Sequence, residues 1–258
     1  MQSLRQSVDD FFHRVMEMLQ QYCNEVMRMP EEEGEPVSSR IDFGGISSYM
    51  VGLSDQFEQV RDYLIEDEEN RLLVTGMAGV GKTTLAKKVF EDPSIQRHFE
   101  LRAWVRVGRK CESNEILRCI LAQVDPNTRD QMLIQGDDDD EKFVGLLDEG
   151  VKDKKCLIVL DDVWEWDTRV MDNLSQENVR ILLTSRVRMK ECPDRGLVRL
   201  LNEEESKKLH CEKVFAQEDF PPHLNILGEK IAKKCEGLPL MIVTVAELLS
   251  EEEKTIEN

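Results

Sequence analysis

Basic residues are scarce in this 258-residue chain relative to acidic ones: 34 lysines and arginines stand against 52 aspartates and glutamates, a formal net charge of −18. Phosphate backbones need a basic footprint, so no nucleic-acid partner is expected. No apolar run approaches bilayer-spanning length, so no membrane span is expected. The N-terminus lacks the basic-then-apolar pattern of a signal peptide. No two of the cysteines at 23, 111, 119, 156, 192, 211 and 235 form a C-x-x-C pair. Their odd count and irregular spacing suit reduced, mostly buried thiols in a cytoplasmic protein. No internal repeat is present. The length allows one large domain or two smaller ones, and a charged fraction of 33% suits solvated helix faces or a part of a larger assembly.

One stretch organises the rest: Gly76-Met77-Ala78-Gly79-Val80-Gly81-Lys82-Thr83-Thr84. From Gly76 to Thr83 it satisfies G-x-x-x-x-G-K-[ST], a phosphate-cradling spacing. The glycines let the backbone turn so that several N–H groups converge. Lys82 is a compact cation able to reach the β- and γ-phosphates of a nucleotide. The Thr83 hydroxyl is a hard oxygen suited to Mg²⁺. An apolar run of strand length, Arg71 to Thr75, precedes the loop, and Leu85, Ala86, Val89 and Phe90 follow at helical spacing. Strand, loop and helix therefore stand in the order that the motif requires, with the positive helix end toward the phosphates.

Two more apolar runs have strand length. Lys155 to Asp162 carries Leu157-Ile158-Val159-Leu160, the pattern of a strand buried on both faces of a parallel sheet. It ends in Asp161 and Asp162, where open α/β sheets bind ligands. Asp161 is a candidate for Mg²⁺ through water, and Asp162 a candidate to orient or deprotonate an attacking water; a helix cap or turn is the plain alternative for such aspartates. Val179 to Leu183 forms the third run and leads into Thr184-Ser185-Arg186. The Arg186 guanidinium fork suits a γ-phosphate, although an arginine after a strand is often only surface. Leu101 to Val107 predicts a further strand. Helices are predicted around Phe57, Val60, Tyr63 and Leu64, with Ser54 as N-cap; around Ile116 to Leu121; and around Phe143 to Val151. The acidic run Gly136 to Glu141 lacks the ligand spacing of a calcium loop and is expected to be a solvated loop.

Residues 4 to 29 carry apolar side chains at threes and fours, an amphipathic helix that needs a partner face. It suits either a core helix of this chain or the last helix of a helical signalling domain. The charged breaker from Pro30 to Pro36 then forms a linker. From about residue 197 only helices are predicted. Asn202 and Glu205 have capping-box spacing, Gly237 is placed as the C′ residue of a helix containing Ile226, Leu227 and Ile231, and Pro239 opens a last, almost wholly apolar helix.

In order along the chain, GMAGVGKTT, FELRAWVRV, KKCLIVLDDVW, RILLTSR, LNEEESKKLHCEKVF and CEGLPL together resemble the NB-ARC domain of plant NLR-type immune receptors, a STAND-class P-loop NTPase. The resemblance runs from about Val51 to Leu249. It implies an α/β fold, a doubly wound parallel-sheet P-loop nucleotide-binding domain over 41–196, followed by a small all-α domain over 197–258, with the N-terminal amphipathic helix and linker over 1–40 as the remnant of a coiled-coil-type domain. It implies an ADP/ATP switch in plant defence against pathogens, with Mg²⁺ and at most slow ATPase activity. Gly79, Val80, Gly81, Lys82, Thr83 and Thr84 would hold phosphates, with Thr83 and Asp161 at the metal. Asp162 would be catalytic and Arg186 the γ-phosphate sensor. Val51 would line the adenine pocket and Pro239 pack on adenine. Other receptor domains or signalling proteins would dock on the helical surfaces. The family's winged-helix domain with its Met-His-Asp motif and its leucine-rich repeats do not occur in these 258 residues, so an incomplete switch that releases ADP readily is expected. The competing classes are an autonomous P-loop ATPase or small-molecule kinase, and a helper or decoy interaction module. An Asn-Lys-x-Asp guanine motif is absent, which excludes a GTPase, and neither a substrate site nor an Arg-rich lid for a kinase is visible.

Overall fold

The computed structural model describes residues 49–125, 127–128, 140–192, 194–215 and 225–250, together with His13, Arg40 and Ile41. Apart from His13, the predicted helix over 4–29 lies outside the described residues, as do the linker over 30–36 and most of the acidic run. Chain contacts divide the molecule into two compact units, one within 34–199 and the other containing everything described from Leu200 onward.

The first unit is built on five parallel strands in the order β2-β3-β4-β1-β5. These are β1 (Arg71–Thr75), β2 (Leu101–Gly108), β3 (Cys156–Val163), β4 (Val179–Ser185) and β5 (Asp194–Leu197). The apolar runs become strands buried on both faces because helices cover both sides. On one side, Ala103, Val105, Ile158, Leu160, Ile181 and Leu183 share a core with α4 (Ser113–Val124), α5 (Asp140–Val151) and α6 (Thr168–Asn173). On the other, α2 (Lys82–Phe90) packs on β3 and β4. There Phe90 meets the fully buried Trp104 edge to face at 5.6 Å, a geometry favoured by the ring quadrupoles. The short α3 (Pro93–His98) connects α2 to β2 and is capped by Asp92, whose carboxylate accepts from the Ser94 amide at 2.8 Å. The buried Arg40 donates from Nη1 to the Val107 carbonyl at 2.8 Å.

Three local expectations change. Helix α1 (Ser54–Glu66) is capped not by Ser54 but by Leu53, which has φ 56° and no side-chain cap bond. Leu53 is 2% exposed, so its burial decides the chain's entry into the helix and Ser54 becomes the first helical residue. Strand β5 has no signal in the sequence. It is four residues long and contains Asp194, Arg195 and Gly196, so no apolar alternation marks it; parallel pairing with β1 makes it a strand. The acidic run is not wholly loop, because α5 begins at Asp140.

The second unit consists of α7 (Glu203–Phe215), α8 (Asn225–Lys234) and α9 (Pro239–Ser250). The capping box at the start of α7 is present in both directions: the Glu205 amide donates to Asn202 Oδ1, and the Asn202 amide to Glu205 Oε2, each at 2.9 Å. After α8 the left-handed residue is Glu236 (φ 51°), one before the position expected, and Gly237 (φ 75°) follows. Gly237 has a different necessity: a Cβ there would run into the Leu201 carbonyl, while its own carbonyl accepts from the Leu201 amide at 2.9 Å. Ile226 was expected on an apolar face and is 70% exposed, whereas Ile231, Leu209, Val214, Ile242, Val245 and Ala246 are buried. Two ion pairs, Lys207–Glu229 at 2.7 Å and Lys233–Glu203 at 3.1 Å, join α7 to α8.

His210 on α7 is 2% exposed, and burial lowers its pKa from 6.5 to about 4. The neutral ring is therefore the folded form. Its share of stability is complete above about pH 6.5 and is lost as pH falls toward 4. At pH 5 the loss should be about 2 kcal/mol, from the gap between the folded and unfolded values. Denaturant melts at pH 7 and pH 5 should show a drop of this order for the native sequence, and a clearly smaller one for His210→Leu.

Candidate functional site

The glycine-rich loop joins β1 to α2. Gly81, immediately before α2, has φ 101°, and Gly79 has φ 76°; both are conformations that side chains resist. A Cβ on Gly76 would meet Val80 Cγ1 at 2.9 Å, and Val80, at 1% exposure, anchors the loop in the core. Lys82 is the first residue of α2 and is 8% exposed. Its Nζ donates to the carbonyls of Gly76 at 2.9 Å and Met77 at 3.0 Å, so the ammonium is held across the mouth of the loop. Burial lowers its pKa, as does the nearby Arg186, against the opposite pull of Asp162 and Asp161. Lys82 and Arg186 thus repel one another in an acidic protein, and an anion between them would relieve that repulsion.

The carboxylates come from β3. Its pairing with β4 slips between Leu160 and Val163: Leu160 faces Leu183, and Val163 faces Ser185. One extra residue is thereby fitted into β3, a bulge of the kind that re-aims side chains beside functional sites. Asp162 takes φ 57° within it. Thr184 secures the bulge, because its hydroxyl accepts from the Asp162 amide at 2.9 Å and donates to Asp161 Oδ1 at 2.6 Å. Thr83 from α2 donates to the same Oδ1 at 2.8 Å. Asp161 is 2% exposed. Burial raises its pKa, the two threonine bonds oppose that, and Asp162 adds to the rise.

The Thr83 hydroxyl and the Asp161 carboxylate are adjacent hard oxygens on separate elements, a donor set that fits Mg²⁺. Magnesium keeps several waters and takes one or two carboxylates rather than a protein cage. Among the described residues no group of three or more His, Cys, Asp or Glu side chains is placed to hold a metal.

Asp162 faces the end of β4. Its Oδ1 lies 3.5 Å from Arg186 Nε, and its Oδ2 accepts from Trp164 Nε1 at 3.3 Å. The structure therefore brings together Lys82, Thr83, Asp161, Asp162 and Arg186, around the turns of Gly79, Val80 and Gly81. Thr84 lies in the first turn of α2 and is partly exposed. Val51 is buried before α1, whose first turn is pinned beyond β5: Gln56 donates to the Leu197 carbonyl at 2.8 Å, and Arg199 pairs with Asp55 at 3.0 Å. Pro239 is the first residue of α9, in the helical unit. Thr184 and Trp164 were not singled out from the sequence. The only signal was proximity in the chain, Thr184 two residues before Arg186 and Trp164 two after Asp162.

A parallel sheet with this loop between its inner strand β1 and a helix, and with paired carboxylates at the end of β3, a buried strand separated from β1 by β4, defines a P-loop nucleotide-binding protein. The chain belongs to the NB-ARC domain family, whose profile matches residues 53–220. It is 33% identical over 224 residues to disease resistance protein RGA5 of Oryza sativa subsp. japonica, covering 81% of this chain and 20% of that protein. It is 32% identical to disease resistance RPP13-like protein 4 and 31% identical to disease resistance protein RPP13, both of Arabidopsis thaliana, covering 78% of this chain in each case and 25% and 26% of those proteins. The chain thus spans about a fifth to a quarter of the length of these curated relatives. Among solved structures, a Signal Transduction ATPase with Numerous Domains protein carrying a tetratricopeptide repeat sensor, from Pyrococcus horikoshii, superposes with a TM-score of 0.52 at 20% identity, covering 80% of this chain and 31% of that one. C. elegans PCH-2 gives 0.51 at 15% identity, covering 80% and 64%. At these identities the structural likeness establishes the fold. No helix among the described residues is long and apolar enough to cross a membrane.

Replacing Lys82 with alanine should weaken binding of ADP with Mg²⁺ by about 1.5–3 kcal/mol, the worth of a charge-assisted bond, which is tenfold or more in affinity. Titration calorimetry measures it, and circular dichroism should show the fold intact. Unchanged affinity would remove Lys82 from the site.

Proposed function

We propose that this chain is an adenine-nucleotide switch of plant defence signalling, holding ADP at rest and ATP when active, in the cytoplasm. The observation that carries this reading is the convergence of Thr83, Asp161, Asp162 and Arg186 on one side of the Lys82 loop. Support for the plant-defence setting comes from the disease resistance proteins among its relatives.

Lys82 and the N–H groups of Gly79, Val80 and Gly81 bind the β- and γ-phosphates, and Thr84 continues that contact at the start of α2. Thr83 and Asp161 would hold Mg²⁺, which would supply neutralisation of phosphate charge. Burial makes the charge on Asp161 costly by itself, so a cation there and the two threonine hydroxyls favour its ionised form. Asp162 orients a water toward the γ-phosphoryl group and accepts its proton, with ADP and inorganic phosphate as products. Arg186 distinguishes ATP from ADP by pairing with the γ-phosphate. With these groups poised but the water held by a single carboxylate, turnover is slow, as a switch requires. Receptor domains or signalling proteins are the proposed partners of the helical surfaces.

Asp162→Asn should slow single-turnover ATP hydrolysis by about 10²-fold or more, within the usual range for loss of a general base, while ADP affinity changes by less than about threefold, because the contact to water matters chiefly in the transition state. Rapid-quench hydrolysis measured beside ADP calorimetry separates the two. Equal loss in both would make Asp162 a binding residue.

A further inference from the structure

Trp164 connects the two residues that the proposed switch uses to act on a γ-phosphate. Its indole Nε1 donates to Asp162 Oδ2 at 3.3 Å. The guanidinium carbon of Arg186 lies 5.2 Å from the centre of its ring, and Arg186 Nε lies 3.5 Å from Asp162 Oδ1. These contacts close a triangle of indole, carboxylate and guanidinium. A second guanidinium, from Arg109, stands 4.2 Å from the same ring. Arg109 follows β2, Trp164 follows β3 and Arg186 follows β4, so one ring spans the carboxyl ends of three adjacent strands.

Packing alone does not account for this ring. Trp104 is fully buried among core side chains, as a structural tryptophan should be. Trp164 is only partly buried and borders a cavity of about 310 Å³ with Arg109, Cys111 and Trp166. Its ordered partners are two cations and a carboxylate. Arg186 is 45% exposed, and so long a side chain would otherwise sample many rotamers. The ring face and the Asp162 carboxylate reduce that freedom, the first by cation–π attraction and the second by charge.

We propose that Trp164 is a positioning residue that sets Arg186 for the γ-phosphate and Asp162 for water as one unit. This rests on the roles of Arg186 and Asp162 given above. When a γ-phosphate draws the guanidinium away from Asp162, the ring remains beneath Arg186 and the indole N–H remains on the carboxylate. Asp162 is then freed from its ion pair while still oriented. The choice of ATP over ADP and the rate of hydrolysis therefore depend on the same side chain, through two separable contacts.

The two contacts are separated by Trp164→Leu, which removes ring and N–H, and Trp164→Phe, which keeps a ring. ADP and ATP affinities are measured with Mg²⁺, alongside single-turnover hydrolysis, in both variants, in Arg186→Ala and in the double variant Trp164→Leu/Arg186→Ala. Trp164→Leu should lower the ATP-to-ADP affinity ratio about fivefold, a cation–π contact's worth, and slow hydrolysis, with ADP affinity unchanged. In the Arg186→Ala background the same substitution should leave the ratio unchanged, because its effect passes through Arg186. Trp164→Phe should keep the ratio within about twofold and slow hydrolysis about fivefold through the lost N–H bond.

The proposal is overturned if Trp164→Leu leaves the ratio unchanged while Arg186→Ala shifts it, or if it lowers the ratio equally in both backgrounds. Should Trp164→Leu fail to fold, Trp164→Phe decides: loss of the ratio together with the rate, or retention of both, overturns the proposal. A ratio that Arg186→Ala itself does not move removes the γ-phosphate role of Arg186, and the inference falls with it.

Discussion

A carboxylate is buried at the end of the inner strand β3, and the nucleotide-binding edge of the sheet is arranged around making that tolerable. Asp161 is almost wholly enclosed, and burial works against its charge. Its Oδ1 receives two hydroxyl bonds, from Thr83 on α2 and Thr184 on β4. Those bonds tie the phosphate loop's helix, the acidic strand and the neighbouring strand to a single atom. Removing either hydroxyl would leave a buried acceptor less satisfied, which is more costly than the bond itself is worth. The placement of Lys82 follows, because the helix that carries Thr83 begins with it.

The bulge beside Asp161 has the same origin. Thr184 serves both residues of the pair, donating to Asp161 and accepting from the amide of Asp162. A regular strand would turn adjacent side chains to opposite faces. The extra residue in β3 instead leaves one carboxylate enclosed beside Thr83 and the other open toward Arg186 and Trp164. Two acids adjacent in sequence thus acquire different environments, a precondition for different chemical roles.

Charge is distributed against the protein's overall balance. At a net −18 the surface repels anions at long range, yet Arg186 is near enough to disfavour the charge on Lys82. The anion site depends on short-range contacts and backbone dipoles in a partly enclosed loop, where screening by solvent is weaker. The helical unit is held differently, by a small apolar core around Leu209, Val214, Ile231 and Ile242 and by exposed ion pairs between α7 and α8, the latter of little energetic weight.

The amino-acid sequence by itself determined the elements whose signals are local. Leu157 to Leu160 and Ile181 to Leu183 are continuous apolar runs, and in an α/β chain such runs can be satisfied only inside a covered parallel sheet. The phosphate loop was legible because its glycines, lysine and threonine act within nine residues, and the Asn202–Glu205 capping box because both partners lie in one helical turn. Tertiary structure alone decided the rest. Strand β5 exists because β1 offers an unpaired edge, and its own four residues carry no strand pattern. Leu53, not Ser54, caps α1 because burial outweighs capping preference there. The bulge at Asp162 depends on register with β4, and the meeting of Arg109, Trp164 and Arg186 depends on strand order. Residues at the ends of neighbouring strands are brought together by the sheet, and no spacing along the chain encodes that distance.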